Sequence, residues 1–140
     1  MTKMKSDEYL MGVDYGSANI GIALGKSGAV SPIRAIPAKN LQQALNEIVR
    51  FAFENKVAAF VLGIPLTADG KETKKSLEIR RFAKLLKAAT KKQIFFQNEY
   101  ATTLDAEEEM LEFEVSQKKR RIKDHYAAAL ILKQYYTSLA

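Results

Sequence analysis

Two spacings alternate along the chain. An apolar run from Tyr9 ends on a single acid, Asp14, and turns through Gly16; a second run follows from Asn19 to Lys26, and a third from Val30 to Ile36. Ser27-Gly28 predicts a hairpin turn between the last two. Pro32 and Pro37 lack ladder donors, so the third strand belongs at an edge. The spacing then becomes helical: Leu41, Leu45, Ile48, Val49 and Phe53 share a face behind Asn40, a suitable N-cap, which predicts a helix to Asn55. Val57 to Ile64, VAAFVLGI, is continuously apolar and bounded by Gly63 and Pro65, as in a strand buried on both faces. Beyond the turn-rich Leu66 to Gly70, a basic helix is expected from about Lys74 to Ala89, with Leu77, Phe82, Leu85 and Leu86 inward and Arg81 flanking. Gln93 to Gln97 reads as a strand ending at Asn98-Glu99. Thr102 or Thr103 caps a helix through about Phe113, residues 116 to 123 read as an exposed basic loop, and a last helix runs from about Asp124 to Leu139. Its inner stripe is Ala127, Ala128, Ile131 and Tyr135. Residues 1 to 7 are polar and expected to be flexible.

This order predicts an α/β fold: a mixed five-stranded sheet, three antiparallel strands and then two parallel ones, flanked by helices. Crossovers between parallel strands are nearly always right-handed, and ligands of such sheets sit beyond the strands' carboxyl ends. Those ends are Asp14, the loop after Ile64, and Glu99, so two acids distant in sequence meet at one edge. Asp124 opens the stripe of the last helix that packs on the sheet and joins them. Three converging carboxylates repel one another unless a cation lies between them, and hard oxygen donors suit Mg²⁺ or Mn²⁺. A two-ion arrangement of this kind activates water against a phosphodiester. Each acid also has a plainer use: Asp14 accepting backbone N–H bonds in its turn, Glu99 as a surface residue, Asp124 as an N-cap worth about 1 kcal/mol.

With no cysteine and one histidine, disulfides, zinc-thiolate and His-rich sites are ruled out. The length of 140 residues fits a single domain, and no apolar stretch reaches a membrane span or a signal-peptide core, so a cytoplasmic protein is expected. The net charge of +6 matters through its placement. Lys71 to Lys92 is crowded with Lys and Arg against Glu72 and Glu78 alone, and every residue from Lys118 to Lys123 except Ile122 is basic. A phosphate-rich partner would meet Lys74, Lys75, Lys118, Lys119, Arg120, Arg121 and Lys123, with Tyr100 beside Glu99 as an aromatic contact. Taken alone, a charge run of this sort is more often a solvated helix face.

Four blocks, MGVDYGSANIGIAL, FVLGIPLTADG, QNEYATT and KDHYAAALIL, in this order and at these separations, resemble the YqgF or RuvX family of RNase H-like nucleases. The resemblance runs from about Tyr9 to Tyr135. It implies one RNase H-like nuclease domain over residues 1–140 and a metal-dependent endonuclease whose acids map onto Asp14, Glu99 and Asp124. It further implies a substrate loop with Gly16, Gly63 and Pro65, and nucleic acid as partner. The family has been linked both to Holliday junctions and to the 5′ end of pre-16S rRNA, hence to the pre-ribosome. A resolvase of a two-fold symmetric junction is expected to be a homodimer, whereas an RNA processor can be a monomer. The chain departs from the family in carrying Ala18 and Asn19 where a basic pair is usual, and Tyr100 where Arg is usual. Rival readings are a nucleic-acid-binding module of ribosome assembly without catalysis, and an actin-like or sugar-kinase ATPase beginning at Asp14-Tyr15-Gly16. The ATPase is disfavoured because such proteins close two domains over the nucleotide.

Overall fold

Strands β1 (Tyr9–Tyr15), β2 (Asn19–Lys26) and β3 (Ala29–Pro37) form an antiparallel meander, and β4 (Val57–Ile64) and β5 (Gln93–Asn98) add to it in parallel, in the order β3-β2-β1-β4-β5. The computed structural model describes residues 7–99 and 123–139. The expected helix near 102–113, the basic residues Lys118 to Arg121, and Tyr100 lie outside them. The β2–β3 hairpin turns on Ser27 and Gly28, both with positive φ (54° and 85°), the backbone that a two-residue turn needs to match strand twist. Pro32 lies on the edge strand β3, opposite a register shift at Ile22/Ala23.

Helix α1 (Leu41–Glu54) is capped by Asn40, whose side chain accepts from the Gln43 N–H. Helix α2 (Lys74–Thr90) starts with a reciprocal box: the Ser76 N–H donates to the Thr73 hydroxyl oxygen, and the Thr73 N–H to that of Ser76. Both helices cover the face of the sheet formed by Met11, Val13, Ile20, Ile22, Phe60 and Leu62. Leu41, Leu45, Ile48 and Val49 of α1 and Phe82 and Leu86 of α2 pack on this core as expected, whereas Phe53, Leu77 and Leu85 do not. Ala44, Leu45, Ile48 and Ala52 of α1 point inward while Phe53 is 85% exposed. In α2 the buried residues are Ser76, Ile79, Phe82, Ala83 and Leu86, whereas Leu77 and Leu85 are 51% and 47% exposed. Small Ala44, Ala52 and Ala83 let the helices approach the sheet closely, and the 3.6-residue period then carries Phe53, Leu77 and Leu85 to the outside.

Among the described residues, helix α3 (Lys123–Leu139) covers the opposite face, packing Ala128, Ile131, Leu132 and Tyr135 on Leu10, Ala23, Ala59 and Val61. Gly12 and Gly63 make this approach possible. A methyl group on Gly12 would lie 2.6 Å from both the Ala128 carbonyl oxygen and Leu132 Cγ; one on Gly63 would lie 2.5 Å from Ile131 Cδ1.

Candidate active site

Strand alternation decides which face each acid joins. In β1, Met11 and Val13 face α1 and α2, so Leu10, Gly12 and Asp14 face α3. In β5, Ile94 packs with the first core and Phe95 with the second, so Phe95, Gln97 and then Glu99 continue on the α3 side. Parallel pairing brings Glu99 next to β4, where its backbone N–H donates to the Ile64 carbonyl at 2.9 Å. Its carboxyl carbon lies 2.9 Å from where a side chain on Gly63 would begin. Gly63 is thus buried beneath Glu99 and Ile131, and its missing side chain gives the carboxylate its place.

Asp14 and Glu99 are close enough to act on each other. Burial first, and the Asp14 negative charge second, push the Glu99 carboxyl up to about 7, while the Lys75 ammonium pulls it down. Lys75 comes from the first turn of α2 and also lies 5.2 Å from the centroid of the Tyr15 ring, which in turn contacts Phe82 at 4.9 Å. The lysine expected on a nucleic-acid surface therefore sits over Tyr15 and acts electrostatically on Glu99. Tyr15 escaped the sequence reading; alternation after Asp14 is the signal that puts it on the α2 side, within reach of a first-turn lysine.

Asp124 is placed by backbone alone. Helix α3 runs antiparallel to β1, since Ala128 lies over Gly12 whereas Tyr136 lies over Gly25, a residue paired with Leu10. Asp124 is one turn, about 6 Å, before Ala128. Asp14 is two strand residues, about 6.7 Å, beyond Gly12. The start of α3 thus stands level with the acidic edge.

The flanking loops are held by local bonds. Gly16 needs to be bare: a methyl there would come within 2.6 Å of the Asn19 carbonyl oxygen. After β4, the Pro65 carbonyl accepts from the Thr73 hydroxyl at 2.9 Å, tying the strand's exit to the start of α2. The Gly70 N–H donates to the Thr67 carbonyl and the Thr67 N–H to that of Lys71, while the Thr67 hydroxyl donates to Asp69. Glu72 accepts a two-pronged contact from Arg80 at 2.7 and 2.8 Å. Lys75 is thereby set on a fixed helix end. Among the described residues no helix is long and apolar enough to cross a membrane.

A five-stranded mixed sheet with carboxylates at the carboxyl ends of its first and last strands is the RNase H-like fold of the Holliday junction resolvases. Thermus thermophilus RuvC, solved with a Holliday junction substrate, superposes with a TM-score of 0.60 at 10% identity, over 94% of this chain and 96% of that one. The fowlpox virus Holliday junction resolvase does so at 0.57 and 15%, over 94% and 99%. Within that fold the chain belongs to the RuvX family, described as Holliday junction resolvase, whose model matches residues 8–138. A Rhodobacter capsulatus relative named "Putative pre-16S rRNA nuclease" is 35% identical over 134 residues, 94% of this chain and 84% of its own length. One of the same name from Acinetobacter baylyi is 27% identical over 139 residues, covering 97% and 95%.

Proposed function

We propose that this protein is a metal-dependent endonuclease of the cytoplasm that hydrolyses phosphodiester bonds of structured RNA, its substrate the 5′ end of pre-16S rRNA and its setting the assembling pre-ribosome. The observation that carries the reading is the meeting of Asp14 and Glu99 on one face of the sheet edge, beside Lys75 and level with the start of α3. With Asp124 they make a set of hard oxygen donors suited to Mg²⁺ or Mn²⁺, and the raised Glu99 carboxyl fits a site built for added positive charge. When bound, the ion lowers the pKa of an attacking water and offsets charge on the phosphodiester.

The chain's own groups do the rest. Glu99 keeps a proton on its carboxyl up to about pH 7 and gives it up as a cation binds, so metal affinity rises with pH. Lys75 offsets the charge of the scissile phosphate. Lys74, Lys118, Lys119, Arg120, Arg121 and Lys123 hold flanking phosphates, Tyr100 stacks on a base, and Gly16, Gly63 and Pro65 frame the cleft. The names of the relatives support the ribosomal substrate.

The family description favours a second reading, resolution of branched DNA, which calls for a two-fold dimer where an RNA processor works as a monomer. Purified protein with Mg²⁺ is incubated with a pre-16S 5′-leader RNA and, separately, a four-way DNA junction. Metal-dependent cleavage of the RNA, abolished in Asp14→Asn, is expected. Cleavage of the junction alone would transfer the assignment to the second reading, and an Asp14→Asn variant that cuts as well as wild type would end both.

A further inference from the structure

Helix α2 carries two sets of charged side chains with different fates. Arg80 is occupied, forked onto Glu72 and lying 4.9 Å from the Phe96 ring centroid. Lys75 lies over the Tyr15 ring and acts electrostatically on Glu99. Directly opposite the buried stripe of Ile79, Phe82, Ala83 and Leu86 run Lys74, Arg81 and Lys84, with Lys91 one residue past the helix end, all exposed. None of these four has a carboxylate within ion-pair distance among the described residues. Leu77 and Leu85 lie on the same outer side, half-exposed.

We propose that this ridge is a track for a duplex arm of the nucleic-acid substrate, leading away from the scissile phosphate along the outer face of α2; the idea rests on the nuclease reading for its starting point. The ridge is continuous with the candidate site, because Lys74 adjoins Lys75. Its 17-residue helix is about 25 Å long, the rise of about seven base-pair steps, so the four cations are spread over about that length of a duplex backbone. A second copy of this chain docking by two-fold symmetry through the same face would set the cations against themselves, which disfavours a dimer there.

The test uses the full chain without divalent metal, so that binding is read without cleavage. Fluorescein-labelled RNA and DNA duplexes of about 20 base pairs are titrated by anisotropy over a range of salt. Arg81→Glu/Lys84→Glu is expected to lower the slope of log affinity against log salt by about 2 and to weaken binding at least ~10-fold. Arg50→Glu/Lys56→Glu, the same change in net charge made on exposed residues of α1 and the turn after it, is the control and should leave the slope near wild type. The chain has no cysteine, so a single cysteine placed at Lys84 or Lys91 takes a photo-crosslinker cleanly and should capture the duplex, whereas one at Asn46 should not. Equal behaviour of the two double variants, crosslinks no stronger from Lys84 than from Asn46, or no duplex binding at low salt would overturn the proposal. Failure of the nuclease reading looks different: the ridge variants then bind poorly as expected while no Mg²⁺-dependent cleavage occurs in wild type.

Discussion

Replacing Asp14 with Asn removes one of two negative charges that share a half-buried edge, and stability measures that sharing without any assay of cleavage. Glu99 stands at about 7 against an ordinary 4.5, a difference that corresponds to ~3 kcal/mol between its protonation states. Burial is the larger cause and Asp14 the second, so the share of Asp14 is set at about 1 kcal/mol. The sign follows from proton counting. Between pH 4.5 and about 7 the folded protein keeps a proton on Glu99 that the unfolded chain has released, so stability falls as pH rises through this window and levels off above it. In Asp14→Asn the Glu99 carboxyl moves back toward its ordinary value. Between pH 5 and pH 8 the variant should therefore lose about 1 kcal/mol less than wild type, a few degrees in Tm. Comparing the pH-dependent loss cancels any hydrogen bond that Asn makes differently at both pH values. Urea unfolding followed by circular dichroism at the two pH values measures this. Mg²⁺ added at pH 8, at about ten times its dissociation constant, should stabilise wild type by about 1.4 kcal/mol and the variant by much less. An equal pH loss in both proteins, together with equal stabilisation by Mg²⁺, would refute a shared carboxylate site.

Other outcomes follow from single contacts. Gly63→Ala puts a methyl 2.5 Å from Ile131 Cδ1 and 2.9 Å from the Glu99 carboxyl carbon, so it should cost about 1 to 3 kcal/mol in urea unfolding and displace Glu99, lowering nuclease activity even in the fraction that remains folded. Lys75→Gln removes the charge that holds Glu99 down; the Glu99 carboxyl should titrate above 7 by NMR, and the rise of nuclease activity with pH should shift upward with it. Thr73→Ala loses both the N-cap of α2 and the bond to the Pro65 carbonyl, and should cost about 1 kcal/mol by urea unfolding, with substrate binding weakened more than turnover.

Much of the fold was legible because its signals are local. Gly and Pro punctuate the apolar runs, Asn40 stands where a cap is needed, and VAAFVLGI reads as a central strand, which β4 is, with β1 and β5 on either side. The meeting of Asp14 with Glu99 was also within reach, since the handedness of crossovers brings the ends of β1, β4 and β5 to one edge. Helix azimuth was legible for Leu41, Leu45, Ile48 and Val49 of α1 and for Phe82 and Leu86 of α2, but not for Phe53, Leu77 and Leu85. Leu77, Leu85 and Phe53 are as apolar as the residues that displaced them, and a strand beneath a helix selects by shape, accepting Ala44, Ala52 and Ala83 where a larger side chain would hold the two apart.

What the sequence determined alone, over the described residues, is therefore the elements, their order and the acids at their ends, all consequences of local periodicity and chain connectivity. Only the tertiary structure decided that Glu99 lies over the bare α-carbon of Gly63, that Lys75 sits over Tyr15 while Lys74, Arg81 and Lys84 face solvent, and that α3 seats on Gly12 and Gly63. Those outcomes depend on which atoms from separate segments can occupy the same few ångströms, a constraint that no stretch of sequence carries by itself.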